Sequence, residues 1–126
     1  MLTADVAHEQ AVKGEVLLVD IRSPQEWMQT GVGEGAVAIT MHSHDFLDKL
    51  MEAMEGDQSK PIALICATGN RSRWLQYQLM AHGFTSVEDV GEGMLGGPNG
   101  PGWLNRRLPV ARPGGGGAPA GNPFLR

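Results

Sequence analysis

Cys66 is the only cysteine among the 126 residues, and its neighbours make it a candidate nucleophile. It ends the apolar run 62–66 and is followed by a short loop that contains Gly69 and Arg71. Because a helix is predicted to begin directly after this loop, the sulfur would face unpaired backbone N–H groups and the positive end of the helix dipole. These groups and the guanidinium of Arg71 favour a reactive thiolate over the neutral thiol.

The residues after Cys66 are predicted to form a loop that binds anions. Gly69 allows the backbone to curl so that successive N–H groups point inward, which would also hold a negatively charged adduct on the sulfur. The predicted anion-binding residues are Ala67, Thr68, Gly69, Asn70, Arg71 and Ser72, and the predicted supporting residues are Asp20, Arg22 and Arg73. The alternative is that Cys66 is a small buried side chain without a chemical role.

Each charged residue near the loop has more than one interpretation. Asp20 and Arg22 would either steer a substrate or form a charge network that braces the loop. Arg71 would either bind an anionic donor or pair with an acidic neighbour. Arg22 and Glu26 are close enough in the sequence to pair across a helical turn.

No metal ion and no cofactor are expected. His42 and His44 lie two residues apart at the end of a predicted strand, where alternate side chains point to opposite sides. Cys66 could supply one ligand, but a metal site would still need others.

The chain alternates predicted strands and helices. Short apolar runs predict strands over 16–21, 36–40, 62–66 and 86–90. Helical spacing and capping residues predict helices over 3–12, 23–29, 44–55 and 72–82. This alternation predicts an α/β fold with helices flanking a parallel sheet, whose ligand site lies at the carboxyl ends of the strands. Cys66 lies at such an end.

The composition fits one small globular domain. Hydrophobic residues make up 41% of the chain and charged residues 19%, so a fully disordered chain is not expected. The apolar runs are too short to span a bilayer, and the first residues do not resemble a signal peptide. We therefore expect a cytoplasmic protein that does not bind membranes and is a monomer or a weak dimer.

Charge and glycine content divide the chain into two unequal parts. Residues 1–90 carry 6 Lys/Arg and 13 Asp/Glu, whereas residues 91–126 carry 4 Arg and 1 Glu. The arginines of the second part are too scattered for a nucleic-acid-binding face. Because 17 of the last 36 residues are Gly or Pro, we predict a domain over 1–111 and a flexible Gly/Pro-rich tail over 112–126.

Five motifs, in order and at compatible spacing, resemble those of the rhodanese-type sulfurtransferases. They are Asp20-Ile21-Arg22 before a helix with Glu26, Gly35-Ala36 before a strand, the loop 66–72, the turn 91–94, and Trp103 followed by 108–110. The resemblance covers residues 3–111. It implies a single rhodanese-like domain, a three-layer α/β sandwich in which helices flank a parallel sheet.

The resemblance also implies sulfur transfer. Cys66 would attack the outer sulfur of a small anionic donor such as thiosulfate, become a persulfide, and pass the sulfur to cyanide, a thiol or a protein. Four residues separate Cys66 from Arg71. This loop resembles the sulfurtransferase form, since the related phosphatase and arsenate-reductase forms have one residue more.

Two features of the chain bear on its substrate. Ala67 stands where some thiosulfate-active members have a basic residue, which leaves Arg71 and Arg73 to hold an anionic donor. One alternative is a sulfur-relay or binding module that works with a protein partner. The other is an activity like that of the phosphatases or arsenate reductases.

Overall fold

The computed structural model describes residues 1–112 of the chain. The strands are β1 (Leu17–Asp20), β2 (Val32–Gly33), β3 (Ala36–Ala38), β4 (Ile62–Ile65), β5 (Val87–Asp89) and β6 (Val110–Ala111). The helices are α1 (Ala4–Val12), α2 (Pro24–Thr30), α3 (Phe46–Ala53) and α4 (Asn70–Ala81). None of these helices is long and apolar enough to cross a bilayer. Apart from Arg112, the predicted tail lies outside the described residues.

Four parallel strands form the main sheet, in the order β3-β1-β4-β5. Asp20 at the end of β1 lies opposite Ile65 of β4, and Asp89 at the end of β5 lies opposite Leu64 of β4. The carboxyl ends of these three strands therefore lie side by side. Cys66 directly follows β4 and so stands between the ends of its two neighbours.

Side chains of the central strands alternate between the two faces of the sheet. On one face, Leu64 and Cys66 belong to a buried cluster with apolar residues of α3 and α4. On the other face, Leu18 and Ile65 pack against α1 and the ring of Trp103. The sheet thus lies between two covering layers, and the predicted α/β fold with a parallel sheet is confirmed.

The predicted elements have the right type and order, and their ends differ from the structure by no more than two residues. The second sheet is not predicted. In it β2 pairs with β6 in antiparallel fashion, with Gly33 opposite Val110. Strands of two residues are too short to show a hydrophobic period. A Cβ at Gly33 would lie 2.5 Å from the ring of Trp103, so glycine permits this close approach.

Candidate active site

The sulfur of Cys66 is surrounded by hydrogen-bond donors of the loop that follows it. The backbone N–H groups of Gly69 and Ser72 donate to Sγ at 3.1 Å and 3.4 Å, and Ser72 Oγ is 3.4 Å from the same sulfur. Cys66 itself is 1% exposed. Because Ser72 lies in the first turn of α4, the positive end of the helix dipole also faces the sulfur.

Gly69 gives the loop its shape. Its backbone lies in the left-handed region, with a φ of +99°, and it is the N-cap residue of α4. A Cβ at this position would lie 2.1 Å from the carbonyl oxygen of Gly91, far inside any real contact. The loop therefore requires glycine here, both for its backbone angle and for its packing.

The glycine-rich turn 91–94, together with Leu95, contacts the loop on the side away from the sulfur of Cys66. The N–H of Met94 donates to the carbonyl oxygen of Cys66 at 2.9 Å, and the N–H of Leu95 donates to that of Ala67 at 2.8 Å. These bonds satisfy the two carbonyl groups on the side of the loop away from the sulfur. The turn therefore anchors the active-site loop.

Glu92, in the same turn, is a buried carboxylate whose role the sequence does not reveal. It accepts hydrogen bonds from the N–H groups of Ala4 and Gly102, both at 2.7 Å, and from Nε of Arg106 at 2.9 Å and 3.1 Å. Burial raises the pKa of Glu92, but these hydrogen bonds outweigh burial and hold it below its ordinary value. Glu92 thus ties α1 and the segment after the turn to the back of the active-site loop.

Arg71 is paired with Glu26 of α2. Its Nη1 and Nη2 donate to the two carboxylate oxygens at 2.8 Å and 2.7 Å, and Nε2 of His42 lies 3.3 Å from Nη1. Of its two interpretations, the structure therefore shows the pairing with an acidic neighbour. The contact links the first turn of α4 to the first turn of α2.

The pairing of Arg22 with Glu26 is a wrong prediction. Arg22 donates instead to Asp20, with Nε–Oδ1 and Nη2–Oδ2 distances of 3.0 Å and 2.8 Å. Its remaining donors reach Thr30 Oγ1 at 2.8 Å and the carbonyl oxygen of Gly31 at 2.9 Å. Both side chains are buried, and a buried charge needs close pairing, which Asp20 supplies. The pair braces the end of α2 beside β1.

Asp89 is a further buried carboxyl group at the site, and the sequence does not single it out. Its Oδ1 lies 2.5 Å from Ser72 Oγ, and the residue is 5% exposed. Burial raises its pKa, while the hydrogen bond from Ser72 opposes that effect. The predicted strand 86–90 extends one residue beyond β5, so the sequence placed Asp89 inside the strand and not at its carboxyl end. An aspartate at the carboxyl end of the strand beside Cys66 is the signal that would have identified it.

The other predicted loop residues lie toward solvent. Thr68, Asn70 and Arg73 are exposed, and Ala67 is half-buried. Within residues 1–112, the guanidinium of Arg73 has no hydrogen bond or ion pair. Arg73, in the first turn of α4, is therefore the arginine beside the loop that remains available to an anion from solution.

Acid is expected to weaken the contact between Glu26 and Arg71. Hydrogen bonds from Arg71 and Ser23 lower the pKa of Glu26 from 4.5 to about 2. A group with a lowered pKa stabilises the fold above its unfolded value and loses this contribution as pH falls through its folded value. The stability advantage of the wild type over Glu26→Gln should therefore be full above pH 4.5 and shrink toward about pH 2.

Urea unfolding of the two proteins across this pH range measures that difference. Comparing the wild type with Glu26→Gln removes the contribution of every other carboxyl group that titrates in acid. A difference in the free energy of unfolding that stays constant with pH would contradict the expected role of Glu26.

The fold and the site define an α/β domain built around one buried cysteine, at the junction of a central parallel strand and a helix. The model of the rhodanese-like domain family matches residues 3–96. The chain therefore belongs to the rhodanese-like domain family, and the resemblance drawn from its motifs is confirmed.

Individual relatives agree with this assignment. The chain is 30% identical over 77 residues to the thiosulfate sulfurtransferase GlpE of Pseudomonas syringae, a match that covers 61% of this chain and 67% of the relative. The Alr3790 protein of Anabaena matches with a TM-score of 0.69 at 19% identity, over 88% of this chain and 91% of that one. The polysulfide-sulfur transferase homodimer of Wolinella succinogenes matches with a TM-score of 0.67 at 23% identity, over 88% and 77%. The two structures share the fold of this chain.

Proposed function

We propose that this chain is a sulfurtransferase that carries sulfur as a persulfide on Cys66, from a donor such as thiosulfate to a thiophilic acceptor. The observation that carries the proposal is the pair of N–H groups, of Gly69 and Ser72, that donate to Sγ at the start of α4. The name of the 30% identical relative, a thiosulfate sulfurtransferase, supports the choice of donor.

The proposed reaction has two displacement steps. The thiolate of Cys66 attacks the outer sulfur of thiosulfate, and sulfite leaves with the electron pair of the broken sulfur–sulfur bond. Cyanide or a thiolate then attacks the outer sulfur of the persulfide, and the electron pair of that bond returns to Sγ. Both steps follow the course of thiol–disulfide exchange, so neither needs an additional oxidant or reductant.

The loop suits both charged forms of the cysteine. Thiolate and persulfide are anions, and N–H groups at a helix N-terminus stabilise anions. Because these groups are already in place around Sγ, little reorganisation accompanies the reaction. The same donors therefore serve the attacking sulfur in the first step and the leaving sulfur in the second.

The two arginines at the start of α4 are proposed to have separate tasks. Arg71 is held by Glu26, so it fixes the loop against α2 and adds a positive field at the sulfur. Arg73 is exposed and attracts the anionic donor from solution. Arg73 would thereby supply the positive charge that some thiosulfate-active members have at the position of Ala67.

The acceptor is proposed to be a separate molecule. The chain has a single cysteine and so has no second thiol to resolve the persulfide. Cys66 is 1% exposed, which favours compact donors and acceptors, or an extended thiol that reaches the loop. Cyanide serves as the test acceptor because it is small and strongly nucleophilic toward sulfur.

The proposal is tested by loading the protein with thiosulfate, measuring its intact mass, and then adding cyanide and assaying thiocyanate. We expect the wild type to gain the mass of one sulfur atom and to lose it to cyanide, whereas Cys66→Ser gains none. The serine variant is the matched control, since it differs from the wild type by one atom and should keep the fold.

Two results would overturn the proposal. If no sulfur is added and no thiocyanate forms, thiosulfate is not the donor, and a relay with a protein donor becomes the better assignment. If an aryl phosphate is hydrolysed in a manner that depends on Cys66, the site performs phosphoryl chemistry instead.

A further inference from the structure

Two buried aspartates end the strands on either side of β4, the strand that Cys66 directly follows. Asp20 ends β1 and Asp89 ends β5, the two neighbours of β4 in the sheet. Asp20 is neutralised by the bidentate contact with Arg22. Within residues 1–112, Asp89 has no ion pair with a lysine or arginine. Asp89 is therefore a buried carboxyl group whose partner is a hydroxyl instead of a cation.

That hydroxyl connects Asp89 to the sulfur. Ser72 Oγ lies 2.5 Å from Oδ1 of Asp89 and 3.4 Å from Sγ of Cys66, and it is buried. A hydroxyl has one proton to donate and can accept others. If Ser72 donates to a carboxylate, its oxygen accepts the S–H of Cys66. If Asp89 is protonated and donates to Ser72, the hydroxyl turns from the carbonyl oxygen of Gly69, 3.2 Å away, and donates to a thiolate.

We propose that Cys66 and Asp89 share one proton through Ser72, an inference that rests on the proposed function. In the step, the S–H bond of Cys66 breaks and its proton bonds to Ser72 Oγ, while the hydroxyl proton of Ser72 passes to Oδ1 of Asp89. The electron pair of the S–H bond stays on sulfur. The result is a thiolate beside a neutral carboxylic acid, with no change in total charge.

The charges around the pair are compatible with this transfer. Asp89 is attracted by the terminal ammonium of Met1 and by Arg73, and is repelled by Glu88. Arg71 attracts the thiolate of Cys66, and it is itself attracted by the carboxylates of Glu26 and Asp20. Burial raises the pKa of Asp89 above its ordinary range, which makes its carboxylate a better proton acceptor.

In this scheme Ser72 touches the reacting sulfur and is a catalytic residue, whereas Asp89 acts through it and is a positioning residue. The role of Asp89 has a distinct signature in the pH profile. Because a protonated Asp89 directs the hydroxyl of Ser72 toward the sulfur, the thiolate gains a hydrogen bond in acid that it loses when Asp89 ionises. A merely structural aspartate would leave the shape of that profile unchanged.

The test is the rate of alkylation by iodoacetamide as a function of pH. Compared with the wild type, Asp89→Asn should react about tenfold more slowly near about pH 5.5, because the thiolate loses the hydrogen bond that protonated Asp89 maintains through Ser72. The two rates should agree within about twofold near about pH 9, where that hydrogen bond is absent from both proteins. Ser72→Ala should show the same loss in acid, and Ser72→Thr, which keeps a hydroxyl, should restore the wild-type profile. Circular dichroism confirms that each variant is folded.

Asp48→Asn is the matched control, because it makes the same substitution at an exposed aspartate of α3 and leaves the charges around Asp89 in place. It should leave the profile unchanged. Parallel profiles for the wild type and Asp89→Asn would overturn the inference, as would faster alkylation of Asp89→Asn in acid. Alkylation does not depend on thiosulfate, so these outcomes are independent of whether the chain transfers sulfur.

Discussion

Gly69→Ala is expected to lose sulfur-transfer activity and much of the stability of the fold. The left-handed backbone at this position costs an alanine about 1–2 kcal/mol. The added Cβ would also lie 2.1 Å from the carbonyl oxygen of Gly91, and this contact is to backbone, which cannot rotate aside. Moving the loop away from the turn costs about 1–3 kcal/mol more, by analogy with overpacked cores.

The loss of activity follows from the same movement. The N–H of Gly69 is the shorter of the two backbone contacts to Sγ. Removing one preorganised donor from an anion site slows reactions by about 100-fold to 1,000-fold. We therefore expect the rate of persulfide formation from thiosulfate to fall by about 100-fold in Gly69→Ala, measured by intact mass against time.

Gly56→Ala is the control for the backbone cost alone. Gly56 also has a positive φ, of +78°, but a Cβ there would have no heavy atom within 4 Å. This variant should lose only about 1–2 kcal/mol of stability and keep the wild-type rate of persulfide formation. If the two variants lost equal stability in urea unfolding, the packing of the loop against the turn would not matter.

The active-site loop could be predicted because its signals are local. An apolar strand, a cysteine, a glycine and a helix start follow one another within residues 62–72. Each of them specifies backbone geometry over a few residues, and together they place Cys66 at the N-terminus of α4. The parallel sheet follows from the alternation of strands and helices, whose lengths leave few other arrangements.

The partners of Arg71 and Ser72 could not be predicted, because they are distant in the sequence. Arg71 and Glu26 lie 45 residues apart, and Ser72 and Asp89 lie 17 apart. Which acid meets which base depends on the order of the strands, and a pattern of apolar residues does not specify that order. The local prediction paired Arg22 with Glu26, one helical turn away, whereas in the structure it pairs with Asp20, the buried acid at the end of β1.

This difference shows how the fold divides its charges around the sulfur. Asp20 and Arg22 neutralise each other on one side of β4, so their charges serve the fold. On the other side, within residues 1–112, the carboxyl group of Asp89 is hydrogen-bonded to a hydroxyl and has no ion pair, so its charge can change with that of Cys66. The ends of the two strands next to β4 thus place a fixed ion pair on one side of Cys66 and a titrating acid on the other.

Arg22→Met is expected to destabilise the fold severely, because it leaves the carboxylate of Asp20 buried without its cation. Arg22 is 1% exposed and Asp20 is 0% exposed, so water cannot replace the missing partner. Removing one member of a buried ion pair costs about 3–5 kcal/mol. The loss of donors to Thr30 and Gly31 adds to this by loosening the end of α2. Urea unfolding at neutral pH measures the change.

The double variant Asp20→Asn, Arg22→Met separates the effect of the unpaired charge from that of lost packing. The asparagine would have the shape of the aspartate and no charge, and its side-chain oxygen could still accept the N–H of residue 22, as Asp20 Oδ1 does at 3.1 Å. The double variant should therefore be more stable than Arg22→Met alone. That result would show that residues 20 and 22 are strongly coupled. Lys13→Met, which breaks an exposed pair with Glu9, should leave the unfolding midpoint unchanged. Additive losses in the double variant would show that Arg22 stabilises the fold by packing, because an unpaired Asp20 would then carry no penalty.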